Sequence, residues 1–290
     1  MVAELLSMIK SVPAMIVMAL TAFAANSVFC RLALEEASID AASFTFIRLL
    51  SGAVALATIC LMAKKTWKPS FPQPVPVLAL FSYMVCFSFA YIKLSAGTGA
   101  LLLFGFVQMT MMGVAIAQGK KMSGIAWFGL ICAMLGLVYL VSPGISAPEP
   151  LFAILMAIAG IAWGIYSLSG AKITDATSST ASNFFYATLL AGLLSLFVSE
   201  SAYFTIEGVL LALASGIFAS GMGYAVWYRV LPLIPVTSAA SLQLSVPALA
   251  AFGGIIFIGE PITSRLIVGV LLIIGGIAVV IQQSRKLKQG

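Results

Sequence analysis

GTGALLLFGFVQMTMMGVAIAQGKKMSGIAWFGLICAMLGLVYLV, residues Gly97 to Val141, returns 140 residues further on as TSAASLQLSVPALAAFGGIIFIGEPITSRLIVGVLLIIGGIAVVI, residues Thr237 to Ile281. No gap is needed. Gly113 falls on Gly253, Gly119 on Gly259, Gly129 on Gly269 and Gly136 on Gly276; Ala100, Leu102 and Ile116 fall on Ala240, Leu242 and Ile256. Each copy is an apolar segment, a short polar turn (Gly119-Lys120 or Gly259-Glu260) and a second apolar segment. Apolar composition alone explains coincidences of leucine and isoleucine, but not four glycines at one offset. The chain therefore carries an internal repeat, the frame for every other reading.

Composition sets the class. Of 290 residues, 62% are hydrophobic and 8% charged, whereas soluble domains carry about 25% charged residues. Apolar segments run over 13–34, 41–63, 74–93, 97–118, 122–141, 150–171, 181–199, 206–228, 236–258 and 262–283. Each is near the ~20 residues that a helix needs to cross hydrocarbon. The reading is an all-α membrane protein of ten transmembrane helices with short connections. The first segment is too long for a signal-peptide core and is read as a retained span. The four cysteines lie far apart in apolar segments, with no metal or redox spacing. No histidine is present, which removes Ser-His catalysis, His-ligated metals and a His proton relay. The expectation is no enzyme, no cofactor and no metal.

Charge sets orientation. With alternating spans, Lys10, Lys64, Lys65, Lys68, Lys120, Lys121, Lys172, Arg229, Arg285, Lys286 and Lys288 share one side. The other holds Arg31, Lys93 and Arg265 with Glu35, Glu36, Asp40, Glu149, Glu200, Glu207 and Glu260. Basic loops mark the cytoplasmic face, so both termini are expected there. The net charge of +6 is thus a topology signal, not a nucleic-acid surface. The same offset carries Phe44 onto Phe184, Leu49-Leu50 onto Leu189-Leu190 and Gly52 onto Gly192. Residues 1–145 and 146–290 are therefore expected to be two five-helix units. Five is odd, so the second enters from the opposite face. An inverted repeat suits a carrier whose halves rock about a midplane site.

The turn Gly-Glu-Pro-Ile-Thr at Gly259–Thr263, followed by Gly269 and Gly276, and Phe-Ile-Arg at Phe46–Arg48 resemble the drug/metabolite transporter superfamily, in particular its ten-span EamA-type bacterial exporters. The resemblance covers essentially the whole chain and implies a multi-pass protein of the bacterial cytoplasmic membrane. The first half departs from it, with Lys120-Lys121 where the second has Glu260-Pro261. The aromatic-rich core looks most like the aromatic amino-acid exporters.

Polar groups inside hydrocarbon are costly and therefore informative. The substrate-facing candidates are Asn26, Tyr83, Trp163, Tyr166, Tyr224, Ser241, Gln243 and Ser245, with Gln108 a weaker one. Trp163 and Tyr166 share a helix face, and the repeat maps Phe23 onto Trp163 and Asn26 onto Tyr166. That match is expected if spans one and six face each other across the axis. Asn and Gln can also serve simply as interhelical hydrogen bonds. Tyr224, near the end of its span, also suits an interfacial belt. Arg48 lies about seven residues, or ~10 Å, inside span two. It can pair with Glu36 or Asp40 or steer a carboxylate, and these three are the charge or gating candidates. The paired glycines of spans five and ten suit close packing, within the chain or at a dimer contact.

No Asp or Glu lies deep in a span, which disfavours permanently cationic drugs and a carboxylate proton relay. The lone Arg48 disfavours phosphate carriers. A neutral or zwitterionic solute with apolar bulk remains, with aromatic and hydrophobic amino acids foremost. The expected partners are that small molecule and the lipid bilayer, with the chain a monomer or weak homodimer. The alternatives are export of other small metabolites or drugs, a non-transporting membrane assembly protein, and an intramembrane enzyme.

Overall fold

The computed structural model describes residues 11–63, 69, 73–119, 122–144, 147–170, 173, 175–197, 202–234, 239 and 242–289, the last six without side-chain detail. Lys10, Lys64, Lys65, Lys68, Lys120, Lys121, Lys172, Glu200 and Ser241 lie outside the described residues.

Helices α1 (Val12–Glu35), α2 (Ala41–Met62), α3 (Pro74–Ala90), α4 (Ala96–Ala117) and α5 (Gly124–Val141) are followed by α6 (Pro150–Gly170), α7 (Ala176–Phe197), α8 (Ile206–Leu233), α9 (Val246–Ile258) and α10 (Ser264–Gln289). Among the described residues, eight are long and apolar enough to cross a bilayer; α3 and α9 are shorter apolar helices. Span nine, expected over 236–258, is interrupted: Ala239, Leu242 and Gln243 are helical, Leu244–Ser245 form a turn, and α9 runs on from Val246. The break precedes Pro247, which has no N–H for the carbonyl four residues back, at Gln243, and whose ring crowds that carbonyl.

The helix starts were written in the sequence. Ser11, Asp40, Ser95, Ser123, Asp175, Thr205 and Thr263 each accept a backbone N–H from the first turn of the helix that follows. These are the side chains that satisfy otherwise orphaned donors. The first turns of α3, α6 and α9 carry proline instead, whose missing N–H costs nothing there. The repeat-mates Gly119 and Gly259 end α4 and α9 at φ +83° and +76°, a left-handed conformation that glycine reaches without a Cβ clash.

The helices pair across the halves. Helix α5 packs along α10, α2 along α7, α1 against α8 and α9, and α6 against α3 and α4. The glycines make the closest of these approaches. A Cβ on Gly129 would sit 2.6 Å from the Gly276 carbonyl, and one on Gly136 would sit 2.8 Å from Leu272 and Ile273. Gly269 faces Leu140, so α5 and α10 run antiparallel. These glycines are therefore used within the chain rather than at a dimer contact. Interior positions are largely Ala, Gly and Ser, while Val17, Leu61, Phe128, Ile131 and Leu196 point outward, as expected where lipid is the solvent.

Candidate functional site

Mid-bundle, side chains of α1, α3, α4, α6, α8 and the segment before α9 enclose a cavity of about 20 Å³. Its wall is Phe23, Asn26, Ser27, Tyr83, Phe87, Leu103, Phe104, Trp163, Ala219, Tyr224 and Gln243. The aromatic rings interlock. Trp163 lies 4.9 Å from Tyr83, 5.1 Å from Tyr224 and 5.5 Å from Tyr166, ring centre to ring centre, and Phe23 meets Tyr224 at 5.7 Å. These are spacings at which aromatic pairs attract. The space holds about one water molecule, so a larger solute requires the rings to part.

A polar network backs one wall. Ser215 Oγ donates to Asn26 Oδ1 (2.6 Å), Asn26 Nδ2 to Tyr83 Oη (3.4 Å), Arg48 Nη2 to the same oxygen (3.2 Å) and Arg48 Nε to Ser220 Oγ (3.2 Å). Ser215 and Ser220 lie within a π-helical stretch, Ser215–Met222, inside α8. Residues five apart diverge by about 140° on an α-helix, but the i→i+5 bonding of a π turn brings them to one side. Gly216 lets α8 press on α2, where a Cβ would collide with Ser51 Oγ and the Arg48 carbonyl.

One end of the bundle is laced shut. Asp40 Oδ2 accepts Tyr203 N, Asp40 N donates to Tyr203 O, and Thr205 N donates to Ser38 O, tying the α1–α2 turn to the start of α8. Glu260 accepts Ala96 N at 2.8 and 2.9 Å and lies 3.5 Å from Arg31 Nε. Arg31 also pairs with Glu35 and donates to the Tyr91 and Ile92 carbonyls. Glu260 sits in the α9–α10 turn, outside the spans. Burial pushes its carboxyl above the usual glutamate range, against the opposing pull of Ala96 N–H and Arg31, with Glu35 adding to the rise.

Residues 151–282 match the EamA-like transporter family. An uncharacterized protein of Pseudomonas aeruginosa is 44% identical over 265 residues, covering 91% of this chain and 92% of the relative. The chain belongs to the EamA-like transporter family. It is also 26% identical to the uncharacterized transporter YoaV of Bacillus subtilis, over 81% of this chain and 85% of that one. An uncharacterized transporter of Archaeoglobus fulgidus is 26% identical over 88% and 92%. A crystal structure 19% identical shares the fold, with a TM-score of 0.66 over 93% of this chain and 98% of that one. The EamA-like chain is accordingly a multi-pass membrane transporter of the drug/metabolite transporter superfamily.

The structure of this EamA-like transporter gathers Asn26, Tyr83, Trp163, Tyr224 and Gln243 around the central cavity. It places others elsewhere. Tyr224 is 4% exposed and inside the aromatic cluster, not in an interfacial belt, because α8 continues beyond it to Leu233. Tyr166 stacks on Trp163, but its hydroxyl turns to Thr180 and Asn183 (3.4 Å each), on a separate pocket shared with Tyr228. Ser245 is exposed and bonds to the Leu242 carbonyl, since the turn before α9 swings it off the helix face. Gln108 is buried outside the cavity lining. Arg48 pairs with neither Glu36 nor Asp40: Glu36 is exposed, and Asp40 caps α2 two turns away. Sequence reasoning missed Ser27, Phe87, Phe104, Ser215 and Ser220. Serines 215 and 220 within an apolar span were a visible signal; the π turn that aligns them was not.

Proposed function

We propose that this transporter exports small neutral or zwitterionic metabolites with apolar bulk, aromatic and hydrophobic amino acids foremost. It does so by alternating access between two inverted five-helix halves, 1–145 and 146–290. One observation carries the reading: the central cavity has an aromatic wall drawn from both halves, including the repeat-mates Phe23 and Trp163, and no carboxylate lines it. The antiparallel α5–α10 contact, and the exchange in which the first helix of each half packs on the third and fourth of the other, support inversion. Alternation about such an axis opens the cavity to each face in turn. The laced end, bearing Arg31, Glu35, Asp40 and Glu260, is read as the extracellular side of a bacterial cytoplasmic membrane, with both termini cytoplasmic.

A proton-driven carrier needs a group that changes charge within the pathway. No Asp, Glu, Lys, Arg or His side chain lines the cavity, so transport is expected to follow the substrate gradient. The test is flux of labelled phenylalanine and alanine in liposomes holding only this protein. Saturable flux favouring phenylalanine, at equal pH on both sides, supports the reading. Uphill accumulation driven by an imposed pH step would contradict the coupling, and equal, unsaturable flux of both would contradict the site.

A further inference from the structure

Arg48 lies two turns into α2 and is completely buried. A guanidinium inside hydrocarbon is expensive unless a counter-charge accompanies it. Among the described residues, no carboxylate lies within 4.0 Å of it. Its bonded partners are neutral hydroxyls, Ser220 and Tyr83. Its carbon Cζ lies 4.8 Å from the Phe87 ring centre and 5.5 Å from that of Tyr83. Nη1, half of the fork that suits carboxylates, is buried with no hydrogen-bond partner at all.

The neighbouring donors point the same way. Arg48 Nη2 and Asn26 Nδ2, from two different helices, both aim at one acceptor, the Tyr83 hydroxyl oxygen. Tyr83 and Asn26 belong to the cavity wall. The phenol oxygen thus holds, as a neutral plug, the position where converging N–H groups favour an oxyanion. No counter-charge awaits an ammonium, which meets only the Gln243 amide, hydroxyls and ring faces. The lining holds no acidic side chain, and Asn26 Oδ1 already accepts from Ser215.

We infer that Arg48 supplies the counter-charge for a substrate carboxylate, so that the carried solutes are aromatic or bulky apolar carboxylates whose α-amino group is dispensable. This rests on reading the central cavity as the transport site. The Tyr83 hydroxyl yields its place to one carboxylate oxygen, Nη1 and Nη2 then bond the carboxylate together, and the ring of the solute lies among Phe23, Trp163 and Tyr224. The loaded site crosses as a neutral ion pair. A zwitterion fits the same site, but its ammonium gains no counter-charge there.

The test uses the full chain in liposomes, taking up labelled phenylalanine, with unlabelled competitors of one ring and varied head group: phenylpyruvate, phenylalaninamide and phenethylamine. Phenylpyruvate is expected to compete at least as well as phenylalanine, and the amide and amine at least about thirtyfold less well, the scale for removing one partner of a buried charge pair. Arg48→Gln at an unchanged melting temperature is expected to abolish the advantage of the carboxylates, while Arg48→Lys keeps part of it. Competition by the amine or amide within a few-fold of phenylalanine, a result that needs no variant, overturns the inference while leaving the transport reading intact. So does an Arg48→Gln protein that still prefers carboxylates. No uptake of any aromatic solute by the unmodified protein overturns both.

Discussion

Replacing Trp163 with alanine separates substrate recognition from packing. The indole touches three other rings at 4.9–5.5 Å, and it is partly rather than fully buried. Truncating a core tryptophan costs about 3–5 kcal/mol; with part of the ring facing the cavity, the stability loss is expected at the low end of that range. Recognition is a separate quantity. An aromatic solute stacked on the indole loses about 0.5–1.5 kcal/mol of pairing beyond area, which converts to about two- to twelvefold at 1.4 kcal/mol per tenfold. Alanine as substrate has no ring to lose. The assay is uptake of phenylalanine and alanine by the same liposomes, normalised to folded protein, for Trp163→Ala and Trp163→Phe. The expected result is a selective loss of phenylalanine flux that Trp163→Phe largely restores. An equal factor lost for both substrates would refute the reasoning and make Trp163 a packing residue.

Two glycines give opposite outcomes: Gly276→Leu at the α5–α10 contact, whose Cβ would overlap the Gly129 carbonyl, lowers the melting temperature through an overpacking cost of about 1–3 kcal/mol or more. Gly113→Ala, with nothing within 4 Å of the added carbon, holds or raises it, by about 0.5–1 kcal/mol. Asp40→Ala removes the acceptor for Ala42 N, Ser43 N and Tyr203 N, for a loss of about 1 kcal/mol by chemical denaturation; no change would detach the lacing from stability. Because the Glu260 carboxyl is raised, its contribution is complete below the ordinary glutamate range and is lost as pH rises through the raised value. The melting temperature therefore falls over that window, and Glu260→Gln, carrying no titrating proton, flattens that part of the slope; an unchanged slope assigns it elsewhere.

The class of the protein and its helix starts were legible because each rests on a local cause. Apolar length marks the spans. A Ser, Thr or Asp before a span, or a proline at its first turn, marks the start. Gly119 and Gly259, matched by the repeat, reach the same positive φ because both turns need it. Trp163 and Phe23 were paired by the offset and do meet one cavity. What failed depended on where a helix departs from 3.6 residues per turn or ends early. The π stretch in α8 carries Ser215 and Ser220 to Asn26 and Arg48, and the turn before α9 sends Ser245 outward. The ties of Arg31 and Glu260 span separations that no local pattern encodes, although both charges were placed on one face by counting spans.

Counterflow tests the central claim most directly, that one site is presented to each side of the membrane in turn. Liposomes containing the protein are loaded with unlabelled phenylalanine or with buffer, and the initial uptake of a trace of labelled phenylalanine is measured at equal pH. The account predicts faster uptake into the loaded vesicles, with transient accumulation above the outside concentration, and saturation as the outside concentration rises. Uptake unaffected by internal phenylalanine and linear in external concentration would contradict it, because that is the behaviour of a pore and not of an alternating site.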